Sequence, residues 1–244
     1  MRAATLGWMP AAALVAIAVL MAMHGPIAQP AGYHDFADTR TWLGVPRAAD
    51  VLSNLPFAVV GAWGLWSMRR SRALPAAASA AYALFFVSLA LTALGSGYYH
   101  LAPDDARLVW DRLPIAVACA ALVAAVCAET RSGSYGVLAF WLVAAVGSVF
   151  WWAATADLRP YLLVQAAPLV LVPLWQWQAA LPSPRRLAFA LAIGLYVLAK
   201  VAEVLDRGIF QAAGMMSGHT LKHLLAALAA AVIASDLRRR CPAR

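Results

Sequence analysis

Apolar residues along this chain gather into eight long runs, at positions 6 to 23, 49 to 68, 74 to 100, 107 to 128, 135 to 154, 158 to 180, 186 to 206 and 218 to 236, separated by short polar connections. Each run approaches the ~20 residues that a helix needs to cross a bilayer. Strand-type alternation in ~10-residue units is absent and Ala and Leu are abundant, so the pattern predicts helices rather than a barrel. The expected fold class is an all-α integral membrane protein packed as one bundle, with little chain left over for a soluble domain. The first run has two readings, because Arg2, an apolar stretch and then His24 also resemble a signal peptide. Its length and the lack of a clean small-x-small cleavage site favour a retained N-terminal transmembrane helix or signal anchor within residues 1 to 30, while Pro10 works against a helix there.

Composition agrees with the pattern: 64% of the 244 residues are hydrophobic and 12% are charged, with a mean hydropathy of +0.73. That is too little polar surface for a soluble globule. The net charge of +8 does not point to nucleic acid, because the basic residues are scattered among loops and form no stripe with interleaved aromatics. Their placement reports topology instead. If the loop with Arg69, Arg70 and Arg72 is cytoplasmic, then Arg2, Arg131, Arg185, Arg186 and the tail with Arg238, Arg239, Arg240 and Arg244 fall on that side too. This side then holds eleven of the nineteen basic residues but only Glu129 and Asp236 of the eleven acids. Both termini are expected inside, in a membrane read as a bacterial inner membrane. Cys119, Cys127 and Cys241 imply no disulfide framework.

Against this apolar background a few polar residues stand out: Ser96 and His100, then Asp111, then His219 and His223. The i, i+4 spacing puts Ser96 on one helix face with His100, and His219 on one face with His223. Two imidazoles one turn apart can grip one ion, and a third from another helix completes the three-ligand, one-open-position arrangement of catalytic zinc. The alternating topology carries all five residues to one depth near the outer, periplasmic side, and Ser53 and Asn54 arrive at the same level. Ionisable groups inside spans are costly and mark sites by default. The long polar connection from His24 to Asp50 is a natural lid for such a site.

Other uses of these residues fit less well. Axial haem ligands approach iron from opposite sides, which His219 and His223 on one helical turn cannot do for one haem. A serine protease would use Ser96 with a histidine base, but no Gly-x-Ser-x-Gly elbow accompanies it. Asp111 has a bland alternative as an ion-pair partner of Arg107 or Arg112. Lys200, Glu203, Asp206 and Arg207 read as an ion-paired helix end, with Lys200 meeting Glu203 and Glu203 meeting Asp206, or as support for the histidines. Lys222 is expected on another face from the two histidines that flank it. Gln165 and Gln176 are expected to bond between helices. Tyr98, Tyr99, Trp110, Trp151, Trp152 and Tyr161 are expected to be ordinary interfacial aromatics.

Taken together, Ser96-x3-His100, Asp111 in Val109-Trp110-Asp111-Arg112, and His219-x3-His223 resemble the signature of the alkaline ceramidase family. That family belongs to a wider superfamily of seven-helix membrane hydrolases that includes the progestin and adiponectin receptors. Asp50-Val51-Leu52-Ser53-Asn54-Leu55 is similar to the family's N-x-x-S-N-L segment, and the resemblance runs in order over residues ~33 to 236. It implies a seven-helix domain over residues 31 to 244, with the first helix as an addition. It implies zinc held by His100, His219 and His223, with Ser96 and Asp111 as catalytic residues beside it. It also implies a lipid amide substrate, ceramide or another N-acyl lipid, cleaved in the bilayer by a zinc-activated water. The family's animal members carry a calcium site before the first core helix. Asp35 and Asp38 are its counterparts here, but Arg47 stands where a glutamate is expected, which speaks against calcium. The competing expectation is a lipid receptor that keeps the metal as a structural clamp. Oligomeric state has no signature in the sequence.

Overall fold

The computed structural model describes residues 7–69 and 74–240. Arg2, Arg70, Arg72 and Arg244, which entered the topology argument, and Cys241 lie outside the described residues. The chain folds into helices α1 (Met9–His24), α2 (Ala48–Leu52), α3 (Leu55–Met68), α4 (Ala76–Leu101), α5 (Asp105–Thr130), α6 (Tyr135–Thr155), α7 (Arg159–Gln178), α8 (Ser183–Val204), α9 (Asp206–Ala213) and α10 (Gly218–Arg240). Among the described residues the only strand-like pairing is an isolated bridge between Trp42 and Val45. The architecture is all-α.

Six segments are long and apolar enough to cross a membrane: α2 with α3 (Ala48–Met68), α4, α5, α6, α8 and α10. The chain is an integral membrane protein on that ground. Two of the expected spans differ from these six. α1 has 16 residues, so it rises only ~24 Å against a hydrocarbon core of ~30 Å. It begins at Met9 because Pro10 suits the first helical turn and removes an amide that has no intrahelical partner there. α7 has the length, at 20 residues, but Arg159, three glutamines and the prolines at 160, 168 and 173 make it more polar than the six. α1 packs against α7.

The core is built around α4 and α5, which pair along most of their length and are flanked by α3, α6 and α7, with α8 and α10 packed together beside them. Phe57, Tyr82, Phe86, Leu89, Val123, Leu171, Phe189 and Ile233 interdigitate in its centre. Gly95 sets how closely α4 and α5 approach: a Cβ there would lie 2.1 Å from the backbone oxygen of Trp110. Only glycine allows Ser96 and Asp111, its neighbours and Trp110's, to face one another across that contact.

One end of the bundle is tied by a buried ion-pair cluster. Glu129, at the C-terminal end of α5, accepts from Arg185 of α8, from Arg240 of α10 at 2.7 Å and from the Tyr82 hydroxyl of α4 at 3.0 Å. Arg240 also reaches Asp236 at 3.0 Å. These are the two acids that the charge pattern isolated on the Arg-rich side. The other end carries a different kind of polar structure.

Candidate metal centre

α2 and α3 form one span with a break, and the break has a local cause. Pro56 has no amide to continue the ladder, the Asn54 amide turns to the Val51 carbonyl at 3.3 Å, and the carbonyl of Asp50 is taken up by side chains: Ser53 Oγ donates to it at 3.0 Å and Asn54 Nδ2 at 2.8 Å. Ser53 Oγ also lies 2.7 Å from His223 Nδ1. The hydroxyl has one proton and gives it to Asp50, so it accepts from Nδ1–H of His223. That fixes the tautomer in which His223 Nε2 carries a bare lone pair, the state a metal ligand requires.

α10 starts at Gly218, and Ser217 caps it by accepting the Thr220 amide at 3.0 Å. Asp50 holds the same turn, accepting from Thr220 Oγ1 at 2.7 Å and Ser217 Oγ at 3.3 Å. Asp206 accepts from the His219 amide at 2.8 Å and from the Ala37 amide of the long N-terminal connection at 2.9 Å. The first turn of α10 is thus fixed from three sides, which orients both of its histidines.

The five residues singled out from the sequence meet at one end of the bundle. His100, His219 and His223 are buried, and one ring nitrogen from each lies within 4.8 Å of the others. Between His100 Nε2 and His219 Nε2 the distance is 3.2 Å. Two nitrogens bound tetrahedrally to one zinc at ~2.0–2.1 Å stand about 3.3 Å apart, so this pair already has the spacing of one edge of such a site. The donor set, three imidazoles with a carboxyl and a hydroxyl alongside, can hold a divalent transition metal with a position left open. Ser96 and Asp111 line the same cavity, facing each other across the close contact of α4 and α5. Arg107, the proposed ion-pair partner of Asp111, pairs instead with Asp104 at 2.6 Å, and Arg112 bonds Gln29 at 2.8 Å.

Ser96, Asp111 and His223 line a cavity of ≈ 190 Å³ that continues into the bundle between apolar walls, including Leu89, Leu122, Phe189, Ala230 and Ile233. From His223 to Ile233 is ten helical residues, or ~15 Å of depth. The long connection covers the histidines from the other side. Phe36 packs its ring edge-on against His100 at 4.7 Å and His219 at 4.4 Å. Tyr99 anchors the same loop by its hydroxyl, 2.8 Å from His34 Nδ1. The loop thus packs over the three imidazoles.

Several expectations need correction. Lys222 does not face away: it lines the cavity, bonds Glu203 Oε1 at 2.6 Å and stands 3.4 Å from His219 Nε2. The i, i+3 relation to His219 is what brings it there. Glu203 does meet Lys200, at 2.7 Å, but Asp206 turns from it to the two amides above. Of the aromatics assigned to the interface, Tyr99, Trp152 and Tyr161 are buried, whereas Tyr98, Trp110 and Trp151 are exposed. Gln165 donates to Tyr161 within its own helix at 3.0 Å, and no partner bonds Gln176 Nε2. Asp38, one of the two carboxylates considered for calcium, is engaged by Arg40 through both oxygens at 2.8 and 2.6 Å. That guanidinium holds the Asp38 carboxyl below its usual range.

Phe36, Lys222 and Arg112 are the site residues that sequence reasoning did not place. The i, i+3 spacing was sufficient signal for Lys222. Asp206 was read as part of an ion-paired helix end or as support for the histidines, and it holds the His219 amide; Phe36 reaches the centre only through tertiary contacts and had no such signal. Replacing Ser53 by alanine removes the acceptor for His223 Nδ1–H, and metal affinity is expected to fall about 10- to 100-fold with the fold retained. Competitive titration with a chromophoric chelator measures it. Comparison with models of known protein families and with curated proteins finds no match to this chain.

Proposed function

We propose that the chain is a membrane-embedded, zinc-dependent amidohydrolase acting on ceramide-like or other N-acyl lipids. The observation that carries this reading is the convergence of three buried imidazoles, with the Ser96–Asp111 pair beside them, on the head of a long apolar cavity. His100, His219 and His223 would hold zinc, which would supply Lewis acidity and a nucleophilic water near neutral pH. Asp111 is placed to accept a proton from the attacking water and to pass one to the leaving amine. Ser96 orients Asp111 and offers its hydroxyl to the oxygen on which charge develops. The apolar walls bind the acyl chain and exclude bulk water from the reacting carbonyl.

In this reading α7 is the seventh spanning helix and α1 the addition, the site lies near the outer side of a bacterial inner membrane, and the ceramidase-family signature names the substrate class. The test is the metal content of the pure protein and of the His223→Ala variant, followed by mass spectrometry of lipid extracts for fatty acid released on incubation. Near-stoichiometric zinc lost in the variant, with fatty acid released by the wild type alone, is the expected result. Protein without zinc removes the mechanism. Zinc without hydrolysis replaces the enzyme with a lipid receptor that uses the ion as a clamp.

A further inference from the structure

Arg112 follows the general base in sequence, yet its guanidinium does something separate. The residue is 3% exposed. Its single hydrogen bond runs from Nη2 to Gln29 Oε1, and both Nε and Nη1 are buried without partners. No carboxylate among the described residues forms an ion pair with it. Instead, its carbon centre sits over the ring of Trp152 at 3.9 Å and near those of Tyr33 and Tyr161, each at 5.2 Å. Rings hold a guanidinium by its faces and leave the edge donors free. A buried cation that keeps two donors unbonded needs an anion to complete it, and a planar fork is suited to a carboxylate or phosphate.

Arg112, Tyr33 and Tyr161 line the same cavity as Ser96 and Asp111. Trp152 ends α6, Tyr161 begins α7, and Gln29 and Tyr33 belong to the covering loop, so the cage stands at the site's end of the bundle, away from the apolar depth. An amide whose carbonyl is beside Asp111 and whose acyl chain points down the cavity directs its amine part towards Arg112.

We propose, resting on the amidohydrolase reading, that Arg112 selects N-acyl lipids whose amine part carries an acidic group, such as N-acyl amino acids. In the reaction water adds across the C–N bond, its oxygen going to the acyl carbon and a proton to the nitrogen. The products are a fatty acid and the free amino acid, with no change of redox state. Lys200 and Lys222, the cavity's two lysines, both pair with Glu203, whereas no carboxylate among the described residues pairs with Arg112.

The experiment compares N-palmitoylglycine, N-palmitoylphosphoethanolamine and the neutral N-palmitoylethanolamine as substrates of the full-length, zinc-loaded protein in nanodiscs, for wild type, Arg112→Gln and Arg112→Lys. The wild type is expected to favour the acidic amides by at least about tenfold in kcat/KM, and whichever of the two is better tells carboxylate from phosphate. Arg112→Gln should remove that preference while leaving the neutral amide within about threefold, and Arg112→Lys should keep part of it. A wild type that cleaves the neutral amide equally well overturns the proposal even if no variant folds. So does an Arg112→Gln variant that slows all three alike. If no amide is cleaved, equilibrium binding of the same lipids separates the two ideas: selective binding of the acidic ones, lost in Arg112→Gln, sustains the anion site without the enzyme, and unselective binding sinks it.

Discussion

Asp111→Asn is expected to lower turnover of an N-acyl lipid by about 10²- to 10⁴-fold, the range associated with loss of a positioned general base, while zinc content stays at the wild-type level. Both halves follow from geometry. Asp111 is outside the group of three histidine nitrogens that can share an ion, and asparagine preserves its shape and its place beside Ser96 in the cavity wall. What it loses is the capacity to accept and return a proton. Metal analysis and single-turnover kinetics on one preparation separate the two. A variant that loses zinc as well would make Asp111 a ligand, and one that keeps full turnover would leave the hydrolytic step without a base.

The second large effect is expected at the opposite end, on stability alone. Glu129 is buried and bonds side chains from three other helices, α4, α8 and α10. Removing it leaves Arg185 and Arg240, whose side chains are 13% and 21% exposed, without their shared counter-charge. Breaking a buried pair from one side costs about 3–5 kcal/mol, and the partial exposure of the arginines places Glu129→Ala towards the lower end. The loss should show as a lower midpoint in thermal or denaturant unfolding in detergent, with metal binding by the folded fraction unchanged. A variant as stable as wild type would show that the arginines find water or lipid phosphate instead.

The contrast between these two residues explains what the sequence disclosed. The histidine triad and its Ser96–Asp111 companions were legible because helical spacing fixes faces and alternating topology fixes depth, and both rules act within or between neighbouring helices. Glu129 and Asp236 stood out by the same charge argument. Phe36 and Arg112 were not legible, because Phe36 lies on the N-terminal connection, where no periodicity applies, and Arg112 is caged by rings from that connection, α6 and α7 together. Arg112 was also masked by its neighbour: adjacent helical residues do not face each other, which correctly separated it from Asp111 but gave no hint of where it goes. α7 fell short of the expected span for a compositional reason, since prolines and glutamines dilute hydropathy without shortening the run seen by eye, and α1 fell short by length, because its helix holds only 16 residues.

Asp206 ties the covering loop to the turn that carries the histidines. One of its oxygens holds the amide of His219 and the other the amide of Ala37, next to the phenyl ring that covers the imidazoles. Lifting the cover strips a backbone anchor from a ligand-bearing turn, and seating it restores both at once. The seating of the covering loop and the set of the imidazoles therefore share one carboxylate as their common fixing point.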